Sequence, residues 1–259
     1  LTSSFNLGFT SEAFSINNFG ALVSNLLLFH GFTSAFLSYN YPSWTISIEF
    51  FTYGFFAIIV FLSRRFNVNI FNFLIFFEII TGFLLHNFGF IENPISGTLR
   101  CIYSFIIGIL TYKIYIFLNK KFIIKSSIPS FFLIGINIIL INNVSRTSQY
   151  ILLIPFSFSL LILSLALTDI KTKINSFLNK NYLVYLGSIS YGIYMIHAII
   201  WIIMRNIIIF YYKVPTELNN YGESEIIMKN LYLADFFTFI GLLTVVFFSH
   251  LSYQFMEKR

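Results

Sequence analysis

Glu49 lies in the string Pro42-Ser43-Trp44-Thr45-Ile46-Ser47-Ile48-Glu49-Phe50-Phe51-Thr52-Tyr53, at the start of an apolar run from Ile46 to Leu62. An acid in a membrane segment is costly and is usually kept for a partner or a function. Two chemistries suit it. As a site group, Glu49 would orient a catalytic group or contact a substrate hydroxyl. As an interfacial acid, it would simply pair with a base. Trp44, three residues before Ser47, has the character of a belt aromatic at the membrane surface.

Arg100 opens a second segment of interest, Leu99-Arg100-Cys101-Ile102-Tyr103-Ser104-Phe105-Ile106-Ile107-Gly108. It is a candidate partner for Glu49; the bland alternative is snorkelling to lipid headgroups. Gly108 suits the close approach of another helix. The richest segment spans about 183–209 and contains Gly187-Ser188-Ile189-Ser190-Tyr191-Gly192-Ile193-Tyr194-Met195-Ile196-His197. At 100° per residue, Ser190, Tyr194, His197, Trp201 and Arg205 fall on one stripe. At 1.5 Å per residue the stripe runs about 22 Å. Such a polar, ionisable stripe is expected to face protein or a water-filled cavity rather than lipid. A lone buried histidine is more often structural; within such a stripe, His197 becomes a site candidate.

Other polar residues are weaker candidates. His30, His86 and His250 lie near span ends and show no partner in the local sequence. Glu78 falls mid-span without an evident mate, and Asp235 is a candidate partner for Arg205. The four histidines are scattered and no His-Glu-x-x-His string occurs, so no metal site is expected. There is no Gly-x-Ser-x-Gly elbow, P-loop or dinucleotide fingerprint. The single cysteine, Cys101, excludes an intramolecular disulfide and a cysteine metal cluster.

The elements that must carry these residues are membrane spans. Hydrophobic residues make up 57% of the chain and charged residues 10%, against about 25% charged in an average soluble domain. With 35 Phe and 16 Tyr, one globular core cannot hide the apolar surface, and lipid must be the solvent. The expected fold is all-α, a polytopic integral-membrane helical bundle. Eight candidate spans lie at about 20–37, 46–63, 69–86, 98–118, 129–143, 149–168, 183–209 and 231–256. The first is diluted by Ser24, Asn25, His30 and Gly31, and the fifth is short.

The formal charge of +6 follows the spans and does not indicate nucleic acid. Arg64 and Arg65, then Lys120, Lys121 and Lys125, then Lys171, Lys173 and Lys180, then Lys258 and Arg259 mark every second loop as basic. The alternate loops carry Glu92, Arg146, and then Lys213, Glu217, Glu223, Glu225 and Lys229. The positive-inside rule therefore predicts a multi-pass protein of the cell membrane with a cytoplasmic C-terminus. Eight spans would put the N-terminal stub there too. Trp44, Glu49, Arg100 and Asp235 would then lie near the outer face.

Three strings resemble those of the membrane acyltransferase 3 family, in the family's order and over about residues 20–259. Pro42–Tyr53 is similar to its Trp-Ser-Leu-Ser-x-Glu-x-x-x-Tyr signature, and Arg100–Gly108 to its Arg-x-x-x-x-Phe-x-x-Gly run. Gly187–His197 is similar to its Gly-x-x-Ser-Tyr-x-x-Tyr-x-x-His string. The ending Tyr253–Arg259 resembles its Tyr-x-x-x-Glu-x-Pro, with Arg259 where proline is usual. The family O-acylates sugars on envelope glycans and related acceptors. The resemblance implies Glu49 and His197 as catalytic groups, with Trp44, Ser47, Arg100, Ser190, Tyr194 and Arg205 binding substrate. It implies acyl-CoA, acetyl-CoA in the simplest case, as a donor substrate arriving from the cytoplasm, with no bound cofactor and a glycan acceptor near the outer face. Family members typically have ten spans, and their first helix carries an Arg followed about three turns later by a His. No segment upstream of residue 20 matches that helix, so residues 1–259 resemble a single acyltransferase domain that is incomplete at its N-terminus. The rival readings are a glycan transporter or flippase, which would show no CoA dependence, and an inactive scaffold or fragment.

Overall fold

The structure is a computed structural model that describes residues 16–33, 38–88, 94–144, 149–218, 224–228 and 230–258. Glu92, Arg146, Glu223, Lys229 and Arg259, used above to orient the chain, lie outside the described residues. The chain is helical throughout: α1 (Phe19–Leu26), α2 (Trp44–Arg65), α3 (Ile70–Phe88), α4 (Pro94–Asn119), α5 (Ile128–Asn143), α6 (Leu153–Leu167), α7 (Lys173–Leu178), α8 (Asn181–Ser188), α9 (Ser190–Tyr212) and α10 (Leu231–Ser252). A small antiparallel pair, β1 (Thr216–Leu218) and β2 (Ser224–Ile226), interrupts the loop before α10.

The all-α membrane architecture is as expected; the count of eight spans is not confirmed. Among the described residues, six segments are long and apolar enough to cross a membrane: Tyr41–Arg65, Ile70–Asn87, Ile95–Asn119, Tyr150–Leu167, Ser190–Tyr212 and Leu231–Glu257. A seventh, α5, is apolar but shorter, with 16 residues or about 24 Å of helix. The expected span at 20–37 does not form as one helix. After the 8 residues of α1, Leu28 adopts φ 56°, and a short 3₁₀ turn, His30–Phe32, follows. Asn25, within α1, turns its Nδ2 to the Ala21 carbonyl and to Ser38 Oγ. The expected helix over 183–209 is likewise two helices, separated at Ile189. Ser190 Oγ donates to the Gly187 carbonyl at 2.7 Å across that break.

The chain divides into two compact units. The first comprises residues 1–30, 34–44 and 184–259; the second comprises 31–33 and 45–183. In the second unit, Ile59, Leu74 and Ile106 join α2, α3 and α4 in one buried cluster, and Leu85, Tyr103 and Ile107 form another. Polar side chains inside this unit find one another. Ser130 and Ser164 share a hydrogen bond at 2.9 Å, and Ser157 Oγ donates to Asn137 Oδ1 at 2.8 Å. These are two rungs of an antiparallel α5–α6 ladder, spaced two helical turns apart on each helix. Lipid is as apolar as leucine, so helix association in a bilayer relies on such bonds and on close packing. Glu78 departs from the pattern: both carboxylate oxygens are buried and have no hydrogen-bond partner among the described residues. Local chain reversal is also well marked. After α2, Asn67 takes φ 52°, the Val68 N–H reaches the Ser63 carbonyl, and Ser63 Oγ donates back to the Val68 carbonyl. That is the 6→1 closure of a left-handed helix cap. Beyond α4, Ile124 and Thr168 form a single parallel bridge.

In the first unit, α10 buries Phe237, Gly241, Val245 and Ser249, one residue per turn on one face. Two glycines set its distance from α9. A Cβ on Gly192 would meet Ser249 at 3.3 Å, and one on Gly241 would lie 2.7 Å from the Trp201 ring. Asn230 caps α10 by accepting from the Tyr232 and Leu233 N–H groups.

Candidate functional site

The sequence-predicted residues divide between the two units: Ser47, Glu49 and Arg100 fall in the second, and Trp44, Ser190, Tyr194, His197 and Arg205 in the first. In the second unit, Ile48, Thr52, Ile59 and Ser63 form the buried edge of α2. Ser47, expected to contact substrate, is itself fully buried, and its Oγ accepts the Gly31 N–H at 3.1 Å. Glu49 is turned off that edge and is exposed. Its carboxylate is an electrostatic neighbour of Cys101 on α4, and the Cys101 thiol accepts from Thr52 Oγ1 at 3.3 Å. One and two turns further along α2, Tyr53 and Phe56 pack edge-on against Phe105 of α4. Glu49 thus stands at the end of an α2–α4 seam that is otherwise aromatic.

The expected Glu49–Arg100 pair does not form. Arg100 is half-buried and turns back along its own helix, where Nε donates to the Ser96 carbonyl at 3.3 Å. No ion pair involves Glu49 among the described residues.

In the first unit, α9 places its most buried line through Gly192, Ile200 and Ile208. The Ser190–Arg205 stripe lies beside that line rather than along it. Ser190 and Tyr194 are exposed, whereas His197, Trp201 and Arg205 are half-buried. His197 has a defined setting. Its Nδ1 lies against the Tyr194 carbonyl, and the two rings are 5.7 Å apart. A carbonyl can only accept, so Nδ1 carries the proton. In the neutral ring, Nε2 then keeps its lone pair, the form that can take a proton. Asp235 is exposed and makes no ion pair with Arg205 among the described residues, so the expected pairing across to α10 is absent.

The turn that precedes Trp44 is tied to this unit. Asn40 Nδ2 donates to the Met195 carbonyl of α9 at 3.1 Å, two residues before His197. Two of the histidines without a local partner find one further along the chain. His30 Nε2 is 3.1 Å from Ser43 Oγ, and His250 Nδ1 bonds Tyr185 Oη in a short contact. Tyr253 packs edge-on against the same Tyr185 ring. The partners of these histidines lie 13 and 65 residues away in sequence. Only residue type hinted at them; no spacing rule reaches that far. No group of three or more metal-ligating side chains occurs among the described residues.

Residues 1–252 match the acyltransferase 3 family, described as an acyltransferase domain. The chain belongs to that family. No curated protein and no solved structure matches it. For an acyltransferase, the two settings have a plain chemical reading. A neutral imidazole whose Nδ1 proton is committed to a carbonyl keeps a lone pair on Nε2, and an exposed carboxylate is able to accept hydrogen bonds. This acyltransferase 3 chain carries the first on α9 and the second on α2.

Proposed function

We propose that the chain is a multi-pass O-acyltransferase of the cell membrane. It would move an acyl group, acetyl from acetyl-CoA in the simplest case, to a sugar hydroxyl of a cell-envelope glycan or exopolysaccharide. One observation carries this reading beyond the family: Glu49 is exposed with no ion pair among the described residues, at the position of the family's signature acid.

The reaction is an ester exchange. The acceptor oxygen attacks the thioester carbonyl carbon, a C–O bond forms and the C–S bond breaks. The hydroxyl proton passes to a base, and CoA leaves as the thiol after taking up a proton. In our reading His197 Nε2, in the first unit, suits a base; Glu49, in the second, is read separately as a hydrogen-bond acceptor for a hydroxyl. General-base help of this kind contributes about 10²–10⁴-fold. Trp44 offers a flat face for a sugar ring, and Ser190 and Tyr194 offer exposed polar atoms. Arg100 and Arg205 offer positive charge for an anionic part of either substrate, and Ser47 holds the Gly31 backbone at that end of α2. The donor would arrive from the cytoplasm. Basic clusters follow α2, α4, α6 and α10, which favours a cytoplasmic C-terminus and an external 211–230 segment.

The test is transfer of label from radioactive acetyl-CoA to the glycan fraction in membranes expressing the protein. Transfer that depends on CoA thioester and is lost in Glu49→Gln, at normal protein abundance, is the expected result. Glycan movement across the membrane without CoA dependence would replace the enzyme reading with a transporter.

A further inference from the structure

His30 is 1% exposed, too deeply buried to meet a substrate, yet it sits at the centre of a polar network. Its Nε2 lies 3.1 Å from Ser43 Oγ. The Ser43 hydroxyl donates to the Asn40 carbonyl at 2.6 Å, and the Ser43 N–H reaches the same oxygen at 2.9 Å. With the Ser43 proton committed there, the imidazole is the donor and Ser43 Oγ the acceptor. Asn25 Oδ1 stands 3.5 Å from the same hydroxyl, while Asn25 Nδ2 donates to Ser38 Oγ at 2.8 Å. Asn40, on the other side of the turn, reaches the Met195 carbonyl. These side chains come from α1, from the segment after it and from the turn itself. All of them converge on the 3₁₀ turn Tyr41–Ser43, whose next residue is Trp44.

A helix start needs only a capping side chain to satisfy its first N–H groups. The start of α2 has more: a buried imidazole on Ser43 and two half-buried amides, Asn25 bonded also to Ser38 and Asn40 also to the Met195 carbonyl. Linked bonds of this kind narrow the geometry of the turn, because moving one member breaks its bond to the next. We propose that His30 is a positioning residue: through Ser43 it fixes the Tyr41–Ser43 turn and with it the setting of the Trp44 indole. The role of Trp44 as an acceptor contact rests on the acyltransferase reading; the coupling of His30 to Trp44 rests on the hydrogen bonds alone.

The test uses the full chain in lipid nanodiscs with Trp201→Phe, which leaves Trp44 as the sole tryptophan. His30→Ala and Ser43→Ala should each red-shift Trp44 emission and raise its quenching by acrylamide, and the double variant should go no further than either single one. His30→Gln, which can present an amide donor near the Nε2 position, should stay close to the parent. If His30→Ala does not accumulate, His30→Asn reads the same coupling, because its amide is too short to reach Ser43. Where acylation is measurable, the acceptor KM should rise roughly tenfold in His30→Ala, within the range that small misplacements cost, while the acyl-CoA KM stays put. An unmoved Trp44 emission in His30→Ala or His30→Asn, or additive effects in the double variant, would overturn the proposal. A Trp44 response as expected in a protein that transfers no acyl group would uphold the coupling and remove the acyltransferase reading instead.

Discussion

Helices α5 and α6 and the start of the α2–α4 seam both carry polar side chains in apolar helices, and they treat them in opposite ways. Between α5 and α6, Ser130 meets Ser164 and Asn137 meets Ser157, so each group leaves the membrane's solvent problem solved. At the α2–α4 seam, Glu49 and Arg100 are close in kind and in expected depth, yet they do not pair. Arg100 takes a carbonyl of its own helix, and Glu49 stays open. Mated polar groups act as glue. Glu49 makes no such bond: among the described residues it is exposed and forms no ion pair.

Substitutions can break that distinction. The largest effect is expected at Glu49→Gln, which keeps size and removes charge. Acyl transfer should fall by about 100-fold or more at unchanged abundance, in line with the loss of a hydrogen-bonding site group. Loss of protein together with activity would place Glu49 among the glue. The reverse pattern is expected at Asn137→Val, which removes the Ser157 partner on α5 and leaves its hydroxyl only the Ile154 carbonyl of its own helix. Thermal stability in detergent should drop, by up to about 1.7 kcal/mol on the scale of membrane hydrogen bonds, while transfer per folded molecule holds. Ser130→Ala should cost less, about 0.6 kcal/mol by the same measure. The smallest change in abundance is expected for Arg100→Met. With no partner to orphan, folded yield measured by size-exclusion fluorescence should stay within about 0.5 kcal/mol of the parent, and adding it to Glu49→Gln should rescue nothing. A rescue would mean that the two do pair in the working protein.

Much of the fold was legible because it rests on short-range rules. Apolar run length located the long helices to within a few residues. The failures have physical causes. Leu28 carries no sign that it will adopt a left-handed conformation, so the segment after α1 read as a continuing span. The break at Ile189 hides in an apolar helix whose hydrogen bonds Ser190 repairs from the side. At the candidate site, motif and periodicity single out Glu49 and His197 as candidates. The Tyr194 carbonyl that sets the His197 tautomer was within reach too, since it lies one turn back. The partners of His30, Asn40 and His250 were not, because a hydrogen bond between distant segments leaves no period in the sequence.

The bridge between Ile124 and Thr168 has a consequence of another sort. There, the Ile124 N–H meets the Leu167 carbonyl and the Asp169 N–H meets the Ile124 carbonyl, both at 2.9 Å. Main-chain bonds clasp two basic loops together there, and Ser127 Oγ adds one side-chain bond by accepting the Ile174 N–H. Side chains at these positions are therefore free to drift over evolutionary time without loosening the clasp, and an alanine scan would pass over it unseen. Only the imino acid betrays it: proline at Ile124 or Asp169 deletes a donor and opens the edge.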